Sequence, residues 1–337
     1  MDLPSNPTRL CITGASGFIG WRLAQLAAAD GHPVTALAAV NNPVEQNRCD
    51  TLTAAGVPVV IAPLDDRARI EQALRDQDVI VHLAAAQHEA HQPESYFHRV
   101  NVDGTRTLLE LAAKSGVKRF VYGSTIGVYG SLAHGVLDET SPLAPDNPYG
   151  RTKAAAEAVV REFSSTLPVV IARISETYGP GDMRLLKLFR ALQRGRYVTL
   201  GNGANHHQLV YVDDLARGLL AAARAKDAVG ATFVLAGAQS VTTDEMAAAI
   251  AAAVNQPGAI RHVPLWPFAI AAVAMEKTFS PLGLRPPLHR RRLDFFRKSF
   301  RFSTAAADRL LGFRAEIPFA EGARRTAQWY REQRLLG

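Results

Sequence analysis

Tyr149 and Lys153 stand four residues apart in Asn147-Pro148-Tyr149-Gly150-Arg151-Thr152-Lys153, directly ahead of the helix-forming run Ala154 to Val160. Side chains four apart on a helix share a face, so this spacing predicts a phenol beside an ammonium. A phenol titrates at about 10 in water, and a neighbouring cation favours its ionised form. Such a tyrosine is suited to exchange a proton near neutral pH as a general acid or base. Tyr-x-x-x-Lys also recurs by chance in helices, so its meaning depends on what the rest of the chain brings to it.

The first such element is Gly14-Ala15-Ser16-Gly17-Phe18-Ile19-Gly20, which follows an apolar run at 9–13 and leads into a helical pattern at 21–29. A strand, a glycine turn and a helix N-terminus together form a pyrophosphate site. Glycines let backbone N–H groups approach the phosphates, and the helix dipole favours their charge. The spacing is G-x-x-G-x-x-G rather than G-x-G-x-x-G, but it has the flanking strand and helix that the motif requires. The next strand, 34–39, ends where an acidic residue would bind the adenosine ribose and an arginine would favour the extra phosphate of NADP. The chain offers Ala38, Ala39, Val40, Asn41 and Asn42 there, with Arg48 further on. Among NAD(P) cofactors this favours NADP(H).

The alternation of strands and helices continues. Strands are expected at 57–61, 79–83, 119–123 and 169–173, and helices after an Asp66 N-cap and over 95–114, the latter carrying Asn101. Small residues at Ala84-Ala85-Ala86 suit close approach of a cofactor. His82 reads as a strand-end residue rather than a catalyst. Thr125 falls just beyond a strand's carboxyl end, where ligands bind in parallel sheets. The expected fold is α/β, a Rossmann-type doubly wound parallel sheet. A nucleotide-binding part at 1–175 and a smaller, interleaved C-terminal substrate lobe at 176–337 are expected, with later segments helping to complete the sheet. In that lobe a strand is expected at 208–212, a helix capped by Asp213 or Asp214, a helix over 243–254 and an amphipathic one over 319–333.

Composition narrows the class. The chain has 337 residues, 47% hydrophobic and 20% charged, which fits a soluble globular protein. The N-terminus lacks a signal-peptide pattern and the longest apolar run is too short to cross a bilayer, so the expected address is cytoplasmic. Cys11 and Cys49 give neither a disulfide framework nor metal spacing. The net charge of +7 is concentrated toward the C-terminus, in His289 to Arg292, Arg297-Lys298 and Arg301. A solvated surface is the first reading of that excess; peripheral contact with an anionic membrane or an acidic ligand are the alternatives. Nucleic acid is not expected without an aromatic platform. The apolar, basic stretch 265–302 reads as a lid or a substrate wall.

Taken together, Gly14-x-x-Gly17-x-x-Gly20, His82-Leu83-Ala84-Ala85, Ser124-Thr125 before Val128-Tyr129-Gly130, Tyr149-x-x-x-Lys153, Arg173 with Tyr178-Gly179-Pro180-Gly181, and Val212-Asp213-Asp214 stand in a familiar order. The chain resembles the extended short-chain dehydrogenase/reductases. Within them it is similar to the NAD-dependent epimerase/dehydratase branch that also holds hydroxysteroid dehydrogenase-like and dihydroflavonol reductase-like enzymes. The resemblance implies Tyr149 as acid/base, Lys153 as its cationic partner on the nicotinamide ribose, and Thr125 as the hydroxyl on the reacting oxygen. It implies cofactor contacts from Gly14, Ser16, Gly17, Phe18, Ile19, Gly20, Ala39, Leu64, Asp65, Leu83, Ala84, Ala85, Asn101 and Ile174. Substrate contacts are implied for Ser124, Thr125, Glu176 and His207. It also implies a homodimer paired through helices near 95–114 and 149–166.

Three departures bear on the substrate. Pro63 stands where the family carries an adenine-binding aspartate, Glu176 where nucleotide-sugar members carry an asparagine, and His207 where they carry an arginine for the diphosphate. A carboxylate repels a diphosphate and a lost arginine removes a bidentate donor, unless Arg184 or Arg290 to Arg292 take over. The expected activity is therefore NAD(P)-dependent interconversion of a carbonyl and a secondary alcohol on a largely apolar small-molecule substrate. Trp266 to Met275 and Phe295-Phe296 would wall its pocket. The alternatives are a nucleotide-sugar epimerase or dehydratase with tightly bound NAD, and a non-catalytic redox sensor on the same fold.

Overall fold

Leu10-Cys11-Ile12 and Val79-Ile80-Val81 are uninterrupted apolar runs, the pattern of strands covered on both faces, and they pair in parallel at the middle of a seven-stranded sheet. The computed structural model describes residues 7–87, 92–130, 135–256, 258–279, 288 and 293–337. Arg290 to Arg292, considered above as phosphate donors, lie outside the described residues.

The first half of the chain runs β1 (Leu10–Thr13), α1 (Phe18–Ala29), β2 (Val34–Ala38), α2 (Pro43–Ala54), β3 (Val59–Ile61), α3 (Arg67–Leu74) and β4 (Val79–His82). It continues as α4 (Glu94–His98), a π-helical turn at Arg99–Asp103, α5 (Gly104–Lys114), β5 (Arg119–Thr125), β6 (Val136–Leu137), α6 (Pro148–Glu162) and β7 (Val169–Ile174). The second half carries β8 (Thr177–Tyr178), α7 (Leu186–Gln193), β9 (Val198–Leu200), β10 (His206–His207), β11 (Val210–Tyr211), α8 (Val212–Arg224) and β12 (Thr232–Leu235). Then come β13 (Val241–Thr242), α9 (Thr243–Ala253), β14 (Arg261–Val263), α10 (Trp266–Phe279), β15 (Arg301–Phe302) and two closing helices, Ala305–Leu311 and Phe319–Glu332.

The main sheet has the order β12-β7-β5-β4-β1-β2-β3, with every pair parallel. The chain winds outward from β1 to β3, then crosses to β4 and winds the other way. The reversal between β1 and β4 opens a crevice at their carboxyl ends, the place where such sheets take ligands. One face is covered by α1 and α8, through Leu23, Ala24, Ala27, Leu215 and Leu219. The other is covered by α3, α5 and α6, through Ile70, Leu108, Leu111, Val159 and Val160.

The expected strands and the Asp66 cap are present; the Asp66 carboxylate accepts from the Arg69 N–H at 3.1 Å. The helix expected over 95–114 is interrupted by its π-helical turn, which carries Asn101. Neither Asp213 nor Asp214 caps α8, which starts a residue earlier at Val212. Asp213 instead pairs with Arg22 of α1 at 2.6 Å, and Asp214 accepts the backbone N–H groups of Glu316 and Ile317. The later segments also build a satellite core of α7, α9 and the final helix around Tyr178, Tyr211 and Phe189.

Candidate active site

Asn147 opens α6 by accepting the Gly150 N–H at 3.0 Å, with Pro148 at the first helical position, where its missing N–H costs nothing. Gly150 is required by packing: a Cβ there would lie 2.6 Å from the Gly127 carbonyl oxygen. That close approach sets α6 against the end of β5 and brings Tyr149 beside Thr125, whose hydroxyl favours the ionised phenol. Both line a crevice of about 890 Å³ with Lys153, Gly14, Gly17, Phe18, Ile19, Gly20, Leu83, Ala85, Ile174 and Glu176. Residues far apart in sequence thus meet as the Tyr149 argument requires.

The electrostatics differ from expectation. Burial pushes the Tyr149 phenol up to about 12, against the Thr125 hydrogen bond and the charge of Arg184. Burial likewise pushes Lys153 down to about 7, against the pull of Glu157. Lys153 is 2% exposed and its ammonium sits 4.1 Å from the centre of the Tyr122 ring. Desolvation sets the direction at both groups, and for the phenol that direction is opposite to the lowering expected from a neighbouring cation.

Behind Thr125 lies a buried ion pair. Arg173 donates to both Glu157 oxygens, at 3.0 and 2.9 Å, and to the Tyr129 hydroxyl at 2.9 Å. Ser124 donates to the same Glu157 at 2.6 Å. Ser124 also lines the crevice, as its expected substrate role requires, while its hydroxyl proton is committed to the Glu157 carboxylate under the site. The four groups pin the carboxyl end of β5 to α6 and β7, and Glu157 stays below its ordinary range because Arg173, Ser124 and Arg161 outweigh its burial.

The phosphate end is built around Gly14, held at φ +70°, where a Cβ would meet the Ala84 N atom at 2.6 Å. Gly17 precedes α1, whose first turn carries no acidic residue, so the N–H groups face the crevice free of a competing carboxylate. This cradle fits a dinucleotide pyrophosphate. Ser16 donates to the Ala39 carbonyl at 2.6 Å and so ties the glycine turn to the end of β2. Ser16, Ala39 and Ala84 stand in these turns, not among the residues that line the crevice. Leu64 packs on Gly104 and Asp65 is exposed, both at the carboxyl end of β3 and outside the crevice lining. Asn101 is 1% exposed and spent internally, on the Ala86 N–H at 2.7 Å, the Ala86 carbonyl at 3.0 Å and Thr152 at 3.0 Å. It positions the turn after β4 and the helix that bears Lys153. His82 is enclosed between Thr13 and Thr105, as a structural residue should be.

At the adenosine edge the fold supplies an acid. Glu45, in the first turn of α2, accepts from the Asn41 backbone at 2.6 Å and lines the crevice beside Asn41, Asn42 and Arg48. Arg48 donates to the Ser16 carbonyl at 3.1 Å and the Gly181 carbonyl at 2.8 Å, so its guanidinium braces loops.

The substrate end is polar. Glu176 is 48% exposed into the crevice, with His207 3.6 Å behind it; His207 is 3% exposed and outside the lining. His207 stacks on Phe295 at 4.6 Å and contacts Thr243 at 3.0 Å. The Glu176 carboxyl sits below its ordinary range because His207 and Arg184 outweigh its burial. Asp146, Arg184 and Lys298 also line this end, with Met183 and Phe300 as its apolar members, and Lys298 pairs with Asp146. The expected apolar wall is absent among the described residues: Phe295 and Phe296 pack on each other outside the lining, and Trp266 and Ile270 of α10 are 67% and 62% exposed. Nothing local in the sequence brings Lys298 to Asp146 across 152 positions.

Comparison with known proteins agrees with this construction. The sequence pattern described as the NAD dependent epimerase/dehydratase family matches residues 10–236. A dTDP-glucose 4,6-dehydratase of Streptomyces griseus is 31% identical, covering 97% of this chain and 95% of that protein. An Escherichia coli O157:H7 N-acetyl-alpha-D-glucosaminyl-diphospho-ditrans,octacis-undecaprenol 4-epimerase is 31% identical over 60% of this chain. The crystal structure of DesIV, a dTDP-glucose 4,6-dehydratase of Streptomyces venezuelae with NAD and DAU bound, superposes with a TM-score of 0.75 at 28% identity, covering 97% of this chain and 98% of that one. The hydroxysteroid and dihydroflavonol side of the resemblance finds no support in these likenesses, which fall among dehydratases and epimerases. With a Rossmann-type sheet, a glycine cradle and a tyrosine–threonine–lysine site in one crevice, the chain belongs to the NAD dependent epimerase/dehydratase family.

Proposed function

We propose that the protein is an NAD-dependent enzyme acting on a nucleotide-activated sugar, oxidising a secondary hydroxyl and re-reducing the ketone, as an epimerase does. The observation that carries this reading is the full-length likeness to a sugar-nucleotide enzyme around a crevice whose substrate end is polar. Tyr149 takes the proton of the sugar hydroxyl and later returns it, while Thr125 hydrogen-bonds the same oxygen and stabilises the charge that develops there. Arg184 supplies the cation whose charge reaches the phenol, Lys153 lines the crevice one helical turn on to hold the nicotinamide ribose, and Gly14, Gly17 and the N-terminus of α1 hold the pyrophosphate. When bound, the dinucleotide accepts and returns a hydride and brings a positive ring charge that offsets the burial of Tyr149. Asn41 and Asn42, which line the crevice beside Glu45, flank the ribose.

The repulsion expected between Glu176 and a diphosphate is met by Arg184, whose charge already acts on Glu176, and by Lys298; a diphosphate would compete for them with Asp182 and Asp146. Glu45 supports NAD over the NADP expected from sequence: a carboxylate beside Asn41 repels a 2′-phosphate, and the guanidinium of Arg48 is engaged with carbonyls. A second reading is dehydration, favoured by the likeness to dTDP-glucose 4,6-dehydratase over 97% of the chain. Elimination of water needs a base at carbon and an acid at the departing hydroxyl besides Tyr149. On the β5 side the chain offers Thr125, Ile126 and Gly127, and no carboxylate stands among them, so the first reading is the stronger.

The test is to incubate the purified protein with UDP- and dTDP-hexoses and NAD and to follow the sugars by NMR. An epimer formed without accumulation of NADH supports the proposal, and loss of one water supports the second reading. Reduction of apolar ketones by NADPH with no change in any nucleotide sugar would overturn both.

A further inference from the structure

Helix α10, WPFAIAAVAMEKTF, is apolar all round as far as Met275. Its inner face carries Ala269 and Ala272, and with Leu265 just before it packs on Leu200, Val263, Leu293 and Phe296. Trp266, Ile270 and Val273 recur at i, i+4 and i+7 on one outward stripe, and are 67%, 62% and 37% exposed; Phe268, on the side away from that stripe, is 38% exposed. A helix that is apolar all round belongs under cover. At 14 residues it spans about 21 Å and falls short of the roughly 20 residues that cross a bilayer. No described helix is long and apolar enough to cross a membrane.

What covers it is indicated by charge and by area. Lys277 closes the outward face, Arg261 is exposed just before the helix, and Arg297 is exposed just after the segment that packs on it. Exposed Arg194 and Arg196 lead into β9, the parallel partner of β14. The sequence following α10 adds Arg285 and Arg290 to Arg292 with no carboxylate between 280 and 292. A second copy of the chain fits poorly. A strip of about 21 Å by 10 Å offers roughly 200 Å², against the ~800 Å² per partner of a stable interface. A two-fold contact would also set these cations against their own copies. An anionic lipid surface takes both the apolar strip and the basic surround, and tryptophan at one end of such a strip suits the headgroup boundary.

We propose that α10 is an interfacial membrane anchor. Trp266, Ile270 and Val273 enter the acyl boundary of an anionic bilayer, and the flanking lysine and arginines lie among its headgroups. Phe296 packs against α10, and two and four residues later Lys298 and Phe300 line the crevice. The anchor therefore holds one wall of the active site at the membrane surface. This proposal stands whether the enzyme epimerises or dehydrates its substrate.

The full chain is tested by co-sedimentation with vesicles of phosphatidylcholine alone or mixed with phosphatidylglycerol, at low and high salt. Binding to the mixed vesicles, at least tenfold weaker with phosphatidylcholine alone or at high salt, is expected, with a blue shift in tryptophan emission. Ile270→Glu and Trp266→Ser should each weaken binding at least tenfold and leave circular dichroism and dinucleotide affinity unchanged. Two results would overturn the proposal: wild-type protein that stays in the supernatant, or binding that survives both substitutions. So would light scattering that shows a dimer dissociated by Ile270→Glu, because a second copy would then be the cover.

Discussion

Tyr149 cannot work from its own acidity. With the phenol pushed up to about 12, its proton must be shared with Thr125 and with whatever charge the bound nicotinamide adds. Tyr149→Phe is expected to lower kcat by about 10²- to 10⁴-fold while leaving the dinucleotide affinity, measured by fluorescence titration, within a factor of two or so of wild type. Lys153 leaves a second signature, in stability. Its folded value of about 7 lies below the ordinary 10.5, so between those pH values the unfolded chain binds the extra proton and stability rises with pH. From pH 7 to pH 8.5 this contributes at most about 2 kcal/mol. Urea unfolding of the dinucleotide-free protein should show that rise, and Lys153→Met should flatten it while stabilising the chain most below pH 7. An identical slope in the two proteins would place Lys153 in a wetter setting than its 2% exposure indicates.

Elements were more legible than their contacts. The strand–glycine turn–helix unit and the helix of Tyr149 were readable because hydrophobic periodicity and capping act over a few residues. The bond from the Ser124 hydroxyl to Glu157, 33 positions on, is a contact that no local pattern announces. Glu45 had a local signal in Asn42-Pro43-Val44-Glu45, a helix start with its acid at the third position, which folds that carboxylate back onto the Asn41 N–H. The apolar wall expected from Trp266 to Met275 failed for a different reason: a helix that is apolar all round does not reveal which side is buried. For the glycine turn the structure makes a firm demand. Gly14→Ala asks a side chain to adopt φ +70° with its Cβ 2.6 Å from a backbone nitrogen, and the left-handed conformation alone costs about 1–2 kcal/mol. Dinucleotide affinity should fall by about tenfold or more in an otherwise folded protein, as read by titration and circular dichroism.

At the scale of the whole molecule, the far wall of the crevice depends on the last helix. Tyr330 donates to the Asp182 carbonyl, Tyr178 packs on Phe319 at 4.9 Å, and Asp182 holds Arg184 at 2.9 Å. Tyr330→Phe removes a buried donor and should cost about 1–3 kcal/mol of stability. It should also raise KM for the sugar while the dinucleotide affinity stays unchanged, since the glycine turn lies on the other side.

The same dependence sets a timetable for synthesis. A chain leaving the ribosome presents its glycine turn first, its proton carrier midway, and the brace on the opposite wall only with its closing helix. Until 232–235 emerge, the outer edge of β7 is a bare template for other strands. A nascent molecule is thus equipped to grip a dinucleotide well before it can enclose a sugar, and early cofactor capture would shelter the half-made sheet from aggregation.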